Sequence, residues 1–586
     1  MERGDRLACG AIALAAVVAI VSAGPRLALP PSWDASHVYL PMARELLAKG
    51  LAFFALPESV RMPPVAYAYP ALLGAHEHLV RAANLGLFAG IVVLLAAAAW
   101  THSRRAAVAT AFLAALSPLL RLWIPDVMTE APFLVLIATW LFAVSRIARG
   151  GRIGWVVAAG AAFALASLTR PAASLFAPAA AGVLALRAWR APDEASRAVE
   201  SRLALAHGLA TAGWLAWLAH NAWRFGFPAI ASGAGTALWL GTNPLTDGFD
   251  PLYFGLGYDD GSIARDMDHL SIAGDRLLWR AGVLQLMDLP APALLGMIAR
   301  KALAFAFVTP YEVPGASPAW MCAWRIALVV LALVAVLRQP RCPLVLAAAS
   351  FAGYMLVVHL PLLYTLRYSV GALDVPLTLL AGIGAAECAS RAWAAAAGLI
   401  VAAGIAIGWP AMARTGPAAP RTTDAILEPL WVRDAATLDF RLEHAARTGA
   451  RTFLLQPGAA LEVDVRDAPG FRPWIVTLAT LDMAVSRLSR GGRCRDLQVL
   501  FRGMDTPTFD RDRIVRVPLE ADGTRHRVAL GTTQPLGLTR EGVLRLEFDC
   551  PVAATLEIGT MRVSASVRGL AFHDRMQAAM HATKER

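Results

Sequence analysis

The chain has 586 residues, of which 57% are hydrophobic and 17% charged, with a mean hydropathy of +0.52. That balance excludes a wholly soluble protein, and it excludes intrinsic disorder, because disordered chains are poor in apolar residues. The net charge of +11, from 54 Lys and Arg against 43 Asp and Glu, does not point to nucleic acid: much of the excess sits in short loops between apolar runs, where basic residues mark the cytoplasmic side of a membrane protein.

The first apolar run, Leu7 to Gly24, follows Arg3 and Arg6. A charged start and an apolar stretch also describe a signal peptide, and Val21-Ser22-Ala23 weakly matches a cleavage site; the reading adopted is a retained first span. Further candidate spans lie near 82–100, 106–123, 131–146, 153–170, 172–189, 203–221, 320–337, 343–363, 369–386 and 393–413, about eleven in all. The stretch 294–310 is shorter and is interrupted by Arg300-Lys301, so it reads as an interfacial or re-entrant helix. With these spans the basic loops (Arg3/Arg6, Arg104-Arg105, Arg146 to Arg152, Arg187 to Arg202, Arg338 to Arg341, Arg391) fall on one side, the cytoplasmic one. The opposite side receives 25–81, 124–130, the turn at Arg170-Pro171, the long loop 222–319, Tyr364 to Tyr368 and everything after 413.

From about residue 415 long apolar runs vanish and a soluble, mainly β domain is expected at 414–586, after a transmembrane domain at 1–413. Leu544, Leu546, Phe548 and Cys550 alternate with Arg545, Glu547 and Asp549, the period of a half-buried strand. Similar stretches occur at 451–456, 497–502, 513–519 and 555–567, with a turn at Asp522-Gly523, while 424–448 reads as one amphipathic helix. The expectation is a small β-sandwich led by a helix. Cys494 and Cys550 are its two cysteines; on the oxidising side they either form a disulfide, worth roughly 4 kcal/mol in the chain-entropy model, or remain buried thiols. No cysteine or histidine spacing in the chain matches a zinc site.

Several polar residues on the outward side have a chemical reading beside a structural one. Asp34, just after the first span and beside Trp33, either takes a proton from an acceptor in a partly desolvated setting or caps a helix at about 35–49. Asp126 and Glu130, four apart, would share one face of a helical turn; they either need a cation, a metal or a shared proton, or form a solvated helix start. Arg170 and Arg367 either snorkel to headgroups or clamp a phosphate, with Arg300-Lys301 able to add to the clamp. The long loop carries Trp239 to Pro244, including Asn243, and the acids Asp259, Asp260, Asp266 and Asp268, and a loop of that length reads as a lid or binding element. His76-Glu77-His78 offers metal ligands, though adjacent helix positions point in different directions.

The acid of the first outward loop followed by Tyr39 and Ala43, the segment Asp126 to Phe133, Leu168-Thr169-Arg170-Pro171, Gly241-Thr242-Asn243-Pro244 and Arg367-Tyr368 occur in that order. Together they resemble the polytopic GT-C glycosyltransferases, especially the protein O-mannosyltransferase and lipid A aminoarabinose transferase group, over roughly residues 1–413. The resemblance implies transfer of a sugar from a polyprenyl-phosphate carrier to an extracytoplasmic lipid, protein or glycan acceptor, with inversion. It makes Asp34 the base or acceptor-orienting group, Asp126 and Glu130 the acidic second loop, and Arg170, Arg367 and Tyr368, with Lys301 and Asn243, the neighbours of donor phosphate and sugar. The family often has a second acid after the first; here Ala35 follows Asp34, which weakens any role for a divalent metal ion. A lipid-linked sugar flippase or transporter remains the alternative, although no internal repeat is evident, and a third reading is a membrane anchor for a polymer-binding domain. Ala- and Arg-rich composition without an organelle signal points to a bacterial inner membrane with the site on the periplasmic face.

Overall fold

The computed structural model describes residues 3–28, 31–32, 34–242, 248, 270–307, 318–388, 427–464, 479–488, 494, 496–503, 515–518, 525–529 and 542–566. Contacts divide the chain into two compact units, one from residues 1–234, 270–272 and 298–416, the other from 235–269, 273–297 and 417–586.

The first unit is helical. Its elements are α1 (Arg3–Ala23), α2 (Leu40–Lys49), α3 (Pro64–Leu72), α4 (Glu77–Trp100), α5 (Arg104–Leu116), α6 (Pro118–Trp123), α7 (Glu130–Ala148), α8 (Ile153–Thr169), α9 (Phe176–Arg190) and α10 (Glu194–Phe225). Two helices of the second unit, α11 (Ala234–Gly241) and α12 (Ile272–Asp288), precede α13 (Ala291–Phe307), α14 (Pro318–Arg338), α15 (Pro343–His359) and α16 (Leu366–Glu387). Among the described residues six segments are long and apolar enough to cross a membrane: Arg3–Ala28, Glu77–Trp100, Glu130–Ala148, Pro171–Arg190, Trp320–Arg338 and Leu366–Glu387. The pair α12 and α13, bent by 116°, makes a seventh if it counts as one span.

The architecture is therefore a polytopic helical membrane protein, but with fewer full-length spans than the hydropathy runs imply. The run 106–123 breaks at Ser117-Pro118, where the Ser117 hydroxyl caps α6 by accepting from Leu120 N at 3.2 Å and proline takes the first helical position. The runs at 153–170 and 343–363 become helices of 17 residues, about 26 Å long, short of a bilayer core of about 30 Å. The run 203–221 lies within the 32-residue α10, whose first turns carry Glu194, Arg197, Glu200 and Arg202. Of the run at 294–310, residues 294–307 fall on the second arm of the bent pair and the rest, like 393–413, lies outside the described residues.

At the centre stands α16, with 89% of its apolar window buried. Small residues allow this: a Cβ on Gly382 would lie 1.9 Å from Thr110 Oγ1, and one on Gly384 would lie 1.9 Å from the Leu331 carbonyl oxygen, so α5 and α14 approach its backbone directly. The starts of α7 and α16 and the end of α8 share one end of this unit, which is what brings Glu130, Arg367 and Arg170 together.

The described strands of the second unit are β1 (Leu427–Asp434), β2 (Phe440–Arg447), β3 (Thr452–Asp464), β4 (Ala479–Leu488), β5 (Asp496–Gly503), β6 (Val515–Pro518), β7 (Arg525–Ala529), β8 (Gly542–Phe548) and β9 (Ala554–Ser566). They form one connected antiparallel sheet in the order β6-β5-β8-β3-β9-β4-β7, with β1 on β9 and β2 on β3. β3 changes partner part-way: Thr452 to Leu455 pair with β9 and Ala460 to Asp464 with β8, and Gly458 at φ +77° lies in the step between. As the alternation implies, Leu544, Leu546, Phe548 and Cys550 are buried. Arg545 on β8 reaches Glu547, Glu462 on β3 and Glu443 on β2, a cross-strand charge ladder that fixes register.

The helix expected at 424–448 is corrected. Two strands occupy its described part, separated by a short turn at Ala435–Thr437 that Asp434 caps at Ala436 N. The 3–4 spacing of apolar residues survives that break by coincidence; ladders to β9 and β3 satisfy the backbone instead. Cys494 and Cys550 are joined in a disulfide that closes a 56-residue separation. Asp522-Gly523 lies outside the described residues.

Candidate active site

Residues 31, 32 and 34 to 39 enter the site through an unusual local structure. Ser32 N donates to the Asp126 carboxylate at 3.2 Å, and the Ser32 hydroxyl accepts from Ala35 N at 3.3 Å, so Ser32 starts the helical path and Asp34 already has helical φ and ψ of −57° and −40°. Asp34 makes no side-chain cap, contrary to that structural reading. A π-turn follows over Ala35–Tyr39, the wider coil that is common at functional sites.

Freed from capping, Asp34 Oδ2 accepts from Arg367 Nη1 at 2.5 Å. Its side chain is 38% exposed. Arg367 is the second residue of α16, whose start is fixed by the Thr365 hydroxyl accepting from Tyr368 N at 3.1 Å. Arg367 uses all three of its nitrogens: Nη1 on Asp34, Nε on Glu130 Oε1 at 2.8 Å, and Nη2 donating to the Tyr39 hydroxyl at 3.0 Å.

Glu130 opens α7 and is fully buried, so it is no solvated helix start. Its Oε1 also accepts from Arg170 Nη2 at 2.8 Å. Arg170 sits at the end of α8 with φ −137° and ψ 103°, because the residue before Pro171 is sterically excluded from the helical region. The aromatic faces of Phe133 and Tyr368 lie 5.6 and 5.5 Å from its guanidinium carbon, and Tyr368 also lies 5.7 Å from that of Arg367.

The result is an alternating chain, Asp34, Arg367, Glu130, Arg170, that balances two negative charges against two positive ones. Two atoms in it are buried and have no hydrogen-bond partner among the described residues: Glu130 Oε2 and Arg170 Nη1. Such atoms in a buried cluster are unused hydrogen-bonding capacity. Burial pushes the Tyr39 phenol up to about 12 against the opposing pull of Arg367, so Tyr39 keeps its proton at neutral pH and has it to donate.

The other sequence-derived residues stand elsewhere. Asp126 does not share a helical face with Glu130, because 126–129 is a bend and α7 begins only at 130. Its carboxylate holds Ser32 N and its own Val127 N at 2.8 Å, while its carbonyl accepts from Asn84 Nδ2 at 2.6 Å and Tyr69 backs Asn84 at 2.7 Å. Arg81 ties the same loop to the end of the first helical segment through Pro125 O and Arg26 O. Lys301, fully buried, donates to the Leu362 carbonyl at 2.6 Å, in the turn that leads into α16. Trp33, Asn243, Asp259, Asp260, Asp266 and Asp268 lie outside the described residues.

For a metal the donor set is unfavourable. Among the described residues no three His, Cys, Asp or Glu side chains group together, Glu77 pairs with Arg81 at 3.1 Å, and the site carboxylates are already committed to guanidinium groups. Sequence reasoning treated Tyr39 and Phe133 only as parts of motifs and missed Gly371. A glycine one turn after Arg367-Tyr368 was the available signal for the last.

Residues 65–217 match the family model described as dolichyl-phosphate-mannose-protein mannosyltransferase. The matched stretch is about a quarter of the chain. It contains Glu130 and Arg170. Among solved structures, an archaeal oligosaccharyltransferase from Archaeoglobus fulgidus, in complex with an inhibitory peptide and a dolichol-phosphate, aligns at 14% identity over 71% of this chain and 57% of its own, with a TM-score of 0.37. An Archaeoglobus fulgidus oligosaccharyltransferase tethered to an acceptor peptide aligns at 12% identity over 70% of this chain and 54% of its own, with a TM-score of 0.36. The arabinosyltransferase EmbB from Mycobacterium smegmatis aligns at 14% identity over 96% of this chain and 65% of its own, with a TM-score of 0.24. The chain thus spans just over half to just under two thirds of these structures' lengths, and at such scores the likeness carries no argument about the site. No curated protein matches the chain in sequence.

Proposed function

We propose that this protein moves a sugar from a polyprenyl-phosphate carrier to a lipid, protein or glycan acceptor outside the cytoplasm, with inversion at C1. One observation carries the reading: a partly exposed carboxylate and a buried guanidinium with an unused donor stand at opposite ends of one ion-pair chain, at one end of the helical unit. That is the arrangement needed to take a proton on one side of an anomeric carbon and receive a phosphate on the other.

Asp34 takes the proton of the acceptor hydroxyl on the oxygen that Arg367 leaves open. The acceptor oxygen forms its bond to C1 as the C1–O bond to phosphate breaks on the opposite face, and the polyprenyl phosphate departs with its new charge facing Arg170 Nη1. Prearranged donors aimed at developing charge are commonly the largest catalytic contribution. Glu130 keeps both arginines aligned, and Asp126 fastens the Asp34 segment through Ser32. An apolar cavity of about 330 Å³ has Phe176 and Tyr354 in its lining and extends to Arg187, Glu200 and Pro343 at the other ends of the helices; the Tyr354 hydroxyl donates to Ala172 O, two residues from Arg170. We read 1–413 as the catalytic membrane domain and 414–586 as an extracytoplasmic domain of a bacterial inner-membrane protein, a placement that the Cys494–Cys550 disulfide favours.

The test is transfer by the purified protein in detergent, followed as release of polyprenyl phosphate from a sugar-loaded carrier. Asp34→Asn lowers kcat by about 10²–10⁴, the usual contribution of a general base. Full activity in that variant removes Asp34 from the base role, and a wild-type protein that moves the intact carrier without cleaving it is a flippase.

A further inference from the structure

We infer that Gly371 is a positioning residue of the site: its missing side chain is what lets the Arg170 guanidinium lie against the backbone of α16. The inference rests on the phosphate-receiving role of Arg170 proposed above. Gly371 follows Arg367 by four residues and Tyr368 by three, so it continues the face of α16 that carries both. A Cβ built there would stand 1.4 Å from Arg170 Nη1, 2.6 Å from its Cζ and 3.3 Å from its Nη2. The space that any side chain would fill is the space occupied by the guanidinium, and Nη1, its nearest atom, is the one without a partner.

What would yield to a methyl group distinguishes this glycine from its neighbours on the same helix. At Gly382 and Gly384 the added atom meets the Thr110 Cα at 2.7 Å and the Leu331 carbonyl oxygen at 1.9 Å, so backbones would have to separate. At Gly371 its three nearest neighbours all belong to the far end of a flexible side chain. The backbone stays and the guanidinium moves, losing its 2.8 Å bond to Glu130 and its seat over Tyr368. Gly371 therefore shapes the site without being needed for the packing of α16.

The experiment is a double-mutant cycle on the full-length protein, with donor KM, kcat and thermal midpoint measured for wild type, Gly371→Ala, Arg170→Ala and the double variant. Arg170→Ala is expected to lose about 10²–10³ in kcat/KM, the effect of removing one charge-stabilising donor. Gly371→Ala should come within about threefold of that loss with a midpoint no lower than that of Arg170→Ala, and the double variant should be no worse than Arg170→Ala alone, since neighbours acting through one group are not additive. Losses that multiply in the double variant, or full activity in Gly371→Ala, overturn the inference. If Gly371→Ala alone does not fold, the double variant decides: folding as well as Arg170→Ala supports the steric account, and failing to fold refutes it. A wild type without transferase activity instead sinks the functional reading, so the two failures are distinguishable.

Discussion

Replacing Glu130 with glutamine tests the centre of the ion-pair chain. The substitution keeps the shape of the side chain and removes its charge. In the folded protein Oε1 accepts from two guanidinium groups at 2.8 Å each, and the arginine side chains are only 9% and 14% exposed. With glutamine the amide oxygen can still accept at the Oε1 position, but Arg170 and Arg367 would face each other with Asp34 alone to balance their charge. Breaking a buried ion pair by removing one partner costs about 3–5 kcal/mol, a large part of the roughly 5–15 kcal/mol that holds a typical protein folded. Both arginines would also lose alignment, so the transfer rate should fall by about 10²–10³. The assay pairs thermal unfolding in detergent with sugar transfer from a polyprenyl-phosphate donor. A Glu130→Gln protein with an unchanged midpoint and a rate within about threefold of wild type would refute the view that this carboxylate organises the site.

Four further outcomes follow from the geometry. Arg325 and Asp374 form a fully buried pair at 2.7 Å between α14 and α16, so Arg325→Gln should destabilise by about 3–5 kcal/mol and lower expression; an unaffected midpoint counts against the pair as a structural lock. Cys494→Ser should cost the sheet roughly 4 kcal/mol, seen as earlier proteolysis of the C-terminal unit, while transfer by the helical unit measured below that transition stays intact. Asp126→Ala should release Ser32, costing about 1–3 kcal/mol for the unsatisfied partner and raising KM for the acceptor more than it lowers kcat. Tyr39 has its pKa raised from 10 to about 12, so the folded state holds this proton where the unfolded chain has lost it. Its contribution is full below pH 10 and disappears as pH rises towards 12; Tyr39→Phe should flatten the alkaline fall in stability over that window, and an identical alkaline profile in the variant contradicts the assignment.

The membrane architecture was legible because hydropathy is a local property: a long apolar run declares a span wherever it later packs. The number of full-length spans was not, since Ser117-Pro118 interrupts a run whose average hydropathy is unaffected, and helices such as Ile153–Thr169 end at a capping or proline signal before they reach bilayer length. Arg170 at a helix end could be read from the proline that follows it. The capping role weighed for Asp34 failed because Ser32, two residues earlier, starts the helical path. In the C-terminal unit the period-2 strands 542–548 and 554–566 were readable, whereas 424–448 was misread because its apolar spacing fits a helix until pairing with β9 and β3 is available.

By itself, the sequence determined that the chain lives in a bilayer, where the apolar segments run, that a β-rich region follows, and which acids and arginines flank helix ends. Only the tertiary structure decided that Glu130 bridges two arginines drawn from positions 40 and 237 residues away, that Asp126 is a loop fastening, and that Gly371 leaves room for a guanidinium. The division has a physical cause. Burial and helix punctuation depend on neighbours within a few residues, while an ion-pair chain depends on which helix ends meet in space, and that is set by the packing of the whole bundle.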